Sequence, residues 1–154
     1  MLKTTLSNIL LSQQIGYGFY KKAHFYPFTY LHSYLNIPDT ADRDSLFQAE
    51  ARRCKEILDI VDSKKTTETI FCIFDELYSG TNPYEAVGSA FSFLTFHTKY
   101  KNVDFILTTH YLDLCKRLNT NKDIVNGQPQ RLFNPFSPGF TRNLQQRNCS
   151  HRVL

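Results

Sequence analysis

The chain has no run of about 18 apolar residues, so its sequence offers no transmembrane helix. It has no signal-peptide core after Met1, because Lys3, Ser7, Gln13 and Gln14 interrupt that stretch. Its four cysteines, Cys54, Cys72, Cys115 and Cys149, form no CxxC pair and keep no regular spacing. That excludes a zinc-ribbon pattern and a disulfide framework, and reduced thiols in an intracellular protein are expected. His24, His32, His97 and His151 show no metal-ligand spacing, and Cys149-Ser150-His151 is too short a pattern to mean a metal. What is present is a folded-domain composition: 154 residues, 42% hydrophobic, with 13 Phe and 9 Tyr.

Charge is unevenly placed. Residues 1–118 hold 13 Lys+Arg against 13 Asp+Glu, whereas residues 119–154 hold five basic residues and one acid, which supplies the whole net charge of +4. The basic excess therefore belongs to residues 119–154. That segment is polar and aperiodic, with Asn134–Gly139 reading as loop, and it lacks clustered lysines interleaved with aromatics. It is expected to be an irregular basic tail, and a truncated or shifted reading frame would explain it.

Leu2, Leu6, Ile9, Leu10 and Gln13 recur at helical spacing, so the chain opens inside a helix. Residues 17–35 carry eight aromatics around Pro27 and read as one or two short edge strands. A layer covering the core is preferred there over a base-stacking surface, because no basic groove accompanies the rings. Asp44-Ser45 with Gln48 forms a capping-box pattern. Phe47, Ala51, Cys54, Leu58 and Val61 then give the following helix an apolar stripe, and Glu50 reads as part of its solvated face in slight preference to an interface contact. Residues 69–74 (TIFCIF) form a continuous apolar run, which suits a parallel strand covered on both faces. A helix over 85–97, a second buried strand over 103–108 and a short helix over 111–118 follow.

Strand, helix and strand at this spacing make a βαβ unit, and ligands of open α/β sheets sit at the carboxyl ends of the strands. Asp75-Glu76 leave the first strand and Thr108-Thr109-His110 leave the second. An apolar strand ending in Asp-Glu has the form of a Walker B element. Its first carboxylate can hold Mg²⁺ and its second can orient or deprotonate a water.

These residues resemble the MutS family, the mismatch-repair members of the ABC-type ATPases. Asp75-Glu76-Leu77-Tyr78-Ser79-Gly80-Thr81 resembles that family's DE-x-x-x-GT segment, Ser45-Leu46-Phe47-Gln48-Ala49-Glu50 its S-T-F-x-x-E signature, and Thr109-His110-Tyr111-Leu112-Asp113-Leu114 its T-H-Y-x-x-L switch. Gln14-Ile15-Gly16 is similar to the glutamine segment after the P-loop helix. Order and spacing agree from Leu2 to Leu118. The resemblance implies a three-layer α/β P-loop NTPase fold of ABC type over residues 1–118, with parallel strands and crossover helices.

By the same resemblance, ATP and Mg²⁺ would bind at an interface with a second MutS-type subunit, in a homo- or heterodimer. Glu76 would be the general base, Asp75 the Mg²⁺ ligand and His110 the γ-phosphate sensor. Ser45 would meet the nucleotide of the opposite subunit, and Gln14 would lie near the nucleotide. Hydrolysis would be coupled to binding of mismatched duplex DNA, through domains that this chain does not have. No glycine is followed by lysine, so the G-x-x-x-x-G-K-[ST] loop is missing from the sequence. The expectation is therefore an incomplete domain, beginning just after that loop and inactive alone. The alternative is a non-enzymatic dimerisation or regulatory module that acts in trans on a complete ATPase. A transporter or chromosome-maintenance ATPase is disfavoured by the lack of an LSGGQ-like signature.

Overall fold

A computed structural model describes residues 2–24, 26–35, 37, 45–64 and 67–126, and the backbone of 151–153. The readings made above for Asp44, Asn134–Gly139 and Cys149 fall outside these residues. The elements run α1 (Leu2–Ile15), β1 (Tyr30–Tyr34), α2 (Leu46–Ser63), β2 (Ile70–Asp75), α3 (Pro83–His97), β3 (Val103–Thr108), α4 (Leu112–Leu118), β4 (Ile124–Asn126) and β5 (His151–Val153). The strands pair in parallel throughout, in the order β1-β2-β3-β5-β4. Segment 119–154, read above as an irregular tail, thus contributes two short strands to one edge of the sheet.

The expected helices and strands form because local signals and burial agree. Ser45 caps α2 in a reciprocal box: its Oγ accepts from Gln48 N at 3.3 Å, and Gln48 Oε1 accepts from Ser45 N at 3.0 Å. Asn82 caps α3 by accepting from Glu85 N at 3.0 Å, with Pro83 in the first turn. β2 is buried on both faces, which explains its unbroken apolar run. Ile70, Cys72 and Phe74 join Cys54, Ile57 and Val61 of α2, Ala90 and Leu94 of α3 and Leu114 of α4 in the main core. Phe71 and Ile73 face the other way, onto Leu2, Leu6 and Ile9 of α1. The result is a three-layer α/β architecture of the Rossmann or P-loop kind.

Phe74 centres the main core, with ring centroids of Phe93, His97 and Phe105 at 5.1, 5.5 and 5.9 Å. His97 is fully buried there, and its Nδ1 lies 2.9 Å from Phe93 O.

Three expectations need correction. β3 is buried on one face only: Val103, Phe105 and Leu107 are covered, while Asp104, Ile106 and Thr108 are half-buried, because α1 lies chiefly over β2. The aromatics of 17–35 do not all cover the core. Tyr34 is buried and Phe28 stacks on Phe71 at 4.9 Å, but Tyr17, Phe19 and Tyr26 are exposed. Glu50, read as solvated, is buried at 1% exposure. It sits on the same stripe as Cys54, Ile57 and Val61, and its polar demand is met by the loop after β2. No helix among the described residues is long and apolar enough to cross a membrane.

Candidate functional site

The carboxyl ends of β2 and β3 lie side by side, with Asp75 paired in register to Thr108. This brings three of the five sequence-predicted site residues together. Asp75 is half-buried, and its Oδ1 accepts a hydrogen bond from Thr108 Oγ1. Glu76 leaves the strand at φ 50°, a left-handed conformation that is uncommon for a residue with a side chain. Its N–H donates to Thr108 O at 3.0 Å, and its exposed carboxylate Oε1 lies 3.6 Å from His110 Nδ1. Thr108 thus holds both acids, one through its hydroxyl and one through its carbonyl. His110 is held by a short turn in which Tyr111 N donates to Thr109 Oγ1 at 3.1 Å, and its ring lies 4.3 Å from that of Tyr111.

The loop after Glu76 is anchored from below. Leu77 and Tyr78 are buried, and Tyr78 also has a positive φ, 59°. Tyr78 packs its ring 5.7 Å from Phe47 of α2, and its N–H donates to Tyr34 Oη at 3.4 Å. Glu50 closes the arrangement. Its Oε1 accepts from Ser79 N at 2.9 Å and from Ser79 Oγ at 2.8 Å, and its Oε2 accepts from Gly80 N at 3.0 Å. Gly80 passes so close to α2 that a Cβ would lie 2.8 Å from Phe47 N and from Leu46 Cγ. The start of α2 and the loop after β2 are therefore one rigid assembly.

A cavity of about 180 Å³ opens here, lined by Asp75, Glu76, Glu50 and Ser79, with Tyr34, Ile37 and Leu46. Among the described residues, its wall carries three carboxylates and no lysine or arginine. Burial dominates the titration of the neighbouring groups. It raises the Tyr34 phenol well above its ordinary value, with the Glu50 charge adding to the shift, and pushes the Cys54 thiol up to about 12. Both stay protonated and act as packing and hydrogen-bonding groups.

The other two predicted residues lie elsewhere. Ser45 is exposed and engaged in capping, and its neighbour Leu46 lines the cavity. Gln14 is exposed on α1 and does not line the cavity. The adjacent Gln13 carries the structural bond instead: its amide pairs with the Phe28 backbone, Nε2 donating to O at 3.1 Å and Oε1 accepting from N at 2.9 Å. Glu50 is the residue that sequence reasoning missed. The signal was its position, four before Cys54 and seven before Ile57, a charge on an apolar stripe.

As a ligand set, Asp75 offers hard oxygen with a hydroxyl neighbour fixing it, which fits Mg²⁺, an ion that takes one or two carboxylates and keeps waters. No cluster of three His, Cys, Asp or Glu suited to holding a metal by itself occurs among the described residues. The cavity does not fit a triphosphate unaided, since its three carboxylates would repel the phosphates.

No family model matches the chain. A curated protein, the endonuclease MutS2 of Alkaliphilus metalliredigens (strain QYMF), is 28% identical to it over 103 residues, which cover 66% of this chain and 13% of that protein. The chain thus spans about 13% of the length of the relative it matches. The similarity is distant and supports a relationship to MutS proteins.

Proposed function

We propose that this chain supplies the metal- and water-handling part of a MutS-type, ABC-type ATP-hydrolysing site. The observation that carries the reading is the convergence of Asp75, Glu76 and His110 at the carboxyl ends of β2 and β3, fixed by Thr108. Mg²⁺ held there would neutralise charge on the phosphates of ATP.

The protein's own groups have distinct tasks. Asp75 is oriented by the Thr108 hydroxyl and presents its remaining oxygen to the cation. Glu76, swung out of the strand by its left-handed backbone, accepts a proton from water at its carboxylate. His110, 3.6 Å from the same carboxylate, meets the γ-phosphate of ATP and reports its presence to Glu76. Ser45, exposed at the start of an 18-residue helix, accepts from Gln48 N and keeps its hydroxyl proton to donate to an anion bound by a second MutS-type subunit. The phosphate cradle comes from outside the residues described. Mismatched DNA binding belongs to the larger protein of which such a domain forms part.

Two measurements test this. In a Mn²⁺ electron-paramagnetic-resonance titration of the whole chain, one weak site is expected, lost in Asp75→Asn. Fused behind the P-loop-bearing segment of a MutS-type ATPase, the chain is expected to turn over ATP, and Glu76→Ala to lower that turnover by about 10²-fold or more. Metal binding indifferent to Asp75→Asn refutes the site. Turnover by the chain alone that vanishes in Glu76→Ala means that its own residues cradle the phosphates. If the chain, mixed with a complete MutS-type subunit, changes that subunit's turnover and only Ser45→Ala removes the change, the chain is a non-catalytic module acting in trans.

A further inference from the structure

The two neighbours of β3 serve it unequally. It pairs with β2 over six positions, Val103–Thr108, but with β5 over three among the described residues, Phe105–Leu107. β4 pairs with β5, so β5 fills a slot one strand wide between β3 and β4. The walls of that slot are held without it. β3 is joined to β2 along its whole length. β4 is tied to α4 and the turn after it: Asn126 Nδ2 donates to Cys115 O at 2.7 Å and to Asn119 Oδ1, and Ile124 N donates to Asn121 O at 3.3 Å.

The slot asks for more than β5 supplies. On one face, Val103, Phe105 and Leu107 of β3 and Ile124 of β4 all belong to the main core. A strand between them therefore needs apolar residues at alternate positions. The register of β5 puts residue 151, a histidine, at the position shared by Phe105 and Ile124, which are 1% and 6% exposed. A polar residue is a poor match for that position. On the other face, β3 carries an acid. Asp104 is half-buried beside Phe71 of β2, and no described basic side chain pairs with it. The described part of β5 stops one position short of it.

We propose that β5 is exchangeable, and that the slot between β3 and β4 accepts an extended segment of a partner protein, added parallel to β3. The walls define its chemistry. It carries apolar residues beside Val103, Phe105 and Leu107 and a lysine or arginine beside Asp104. It contains no proline, because a strand with neighbours on both sides uses its N–H groups. The site lies within the sheet and depends on neither ATP nor the metal reading of Asp75.

The test is fluorescence anisotropy of the whole chain with three labelled peptides, VKVTVT, VQVTVT and VKPTVT. Saturable binding of VKVTVT is expected. VKPTVT is expected to bind about tenfold or more weakly, because it leaves a buried backbone acceptor unpaired. VQVTVT is expected to bind about threefold or more weakly than VKVTVT, and Asp104→Asn to abolish that difference. His151→Val makes β5 a better resident, so it is expected to raise the melting temperature and to weaken VKVTVT by about threefold or more. Bound VKVTVT is expected to slow hydrogen exchange in β3 and β4 and to leave β1 unchanged. No binding, equal binding of the three peptides, or VKVTVT binding indifferent to His151→Val overturns the proposal. So does new protection confined to Tyr30–Tyr34, which would place the peptide on the sheet edge. A concentration-dependent dimer that His151→Val abolishes also overturns it, since the slot would then hold a strand of a second copy.

Discussion

Asp104 shows how a single residue can oppose the fold that holds it. It stands on β3 opposite Phe71, half-buried, and desolvation raises its pKa above the ordinary 3.8. The folded protein therefore binds this proton more tightly than the unfolded chain. The contribution is intact at pH values below 3.8 and is lost as pH rises through the folded pKa, so the ionised carboxylate disfavours folding at neutral pH. Asp104→Asn is expected to raise the melting temperature at pH 7 and to leave it nearly unchanged at pH 3. Thermal melts at pH 3, 5 and 7 measure the difference, and an equal shift at all three would assign the effect to packing instead. The sequence does not reveal this cost, because the alternation of VDFILT shows an acid on a strand but not how far α1 reaches over it.

At the scale of elements, the coupling between α2 and the loop after β2 is decisive. Glu50 accepts three hydrogen bonds from Ser79 and Gly80, and Gly80 lies against Leu46 and Phe47. The cap of α2 and the acids of β2 therefore cannot move independently. Glu50→Ala removes these bonds and leaves a void in a buried position, with an expected loss of about 2–3 kcal/mol in urea unfolding. Glu50→Gln retains one acceptor oxygen and is expected to lose less. If both variants unfold at the wild-type midpoint, the loop is held by Leu77 and Tyr78 alone. The start of α2 was readable because it rests on local chemistry, Ser45 with Gln48, whereas α3 begins at Pro83 behind the Asn82 cap, two residues before the position read from the sequence. The pairing of Glu50 with residues 29 and 30 positions later is a tertiary contact that no local pattern announces.

At the scale of the whole molecule, the sheet is ordered by burial. β2 lies between β1 and β3 and is covered on both faces, β3 is covered on one, and β1 sits at an edge. Native-state hydrogen exchange is expected to protect the amides of β2 most, then those of β3, then those of β1. Slower exchange in β1 than in β2 would show that the edge is covered in solution. The same layering sets the acidic rim at the carboxyl ends of β2 and β3.

The sequence by itself determined the identity and order of the elements from α1 to α4, the cap of α2, and the nearness of Asp75, Glu76 and His110. Those follow from periodicity, from the doubly buried run of β2 and from the rule that parallel strands end on one rim. Only the tertiary structure decided the rest. It buried Glu50, joined Thr108 to both acids, gave the amide pairing to Gln13 rather than Gln14, and left Tyr17, Phe19 and Tyr26 uncovered. Each of these depends on which surfaces meet across the layers, and side-chain burial and long-range hydrogen bonds are set by that meeting rather than by neighbours along the chain.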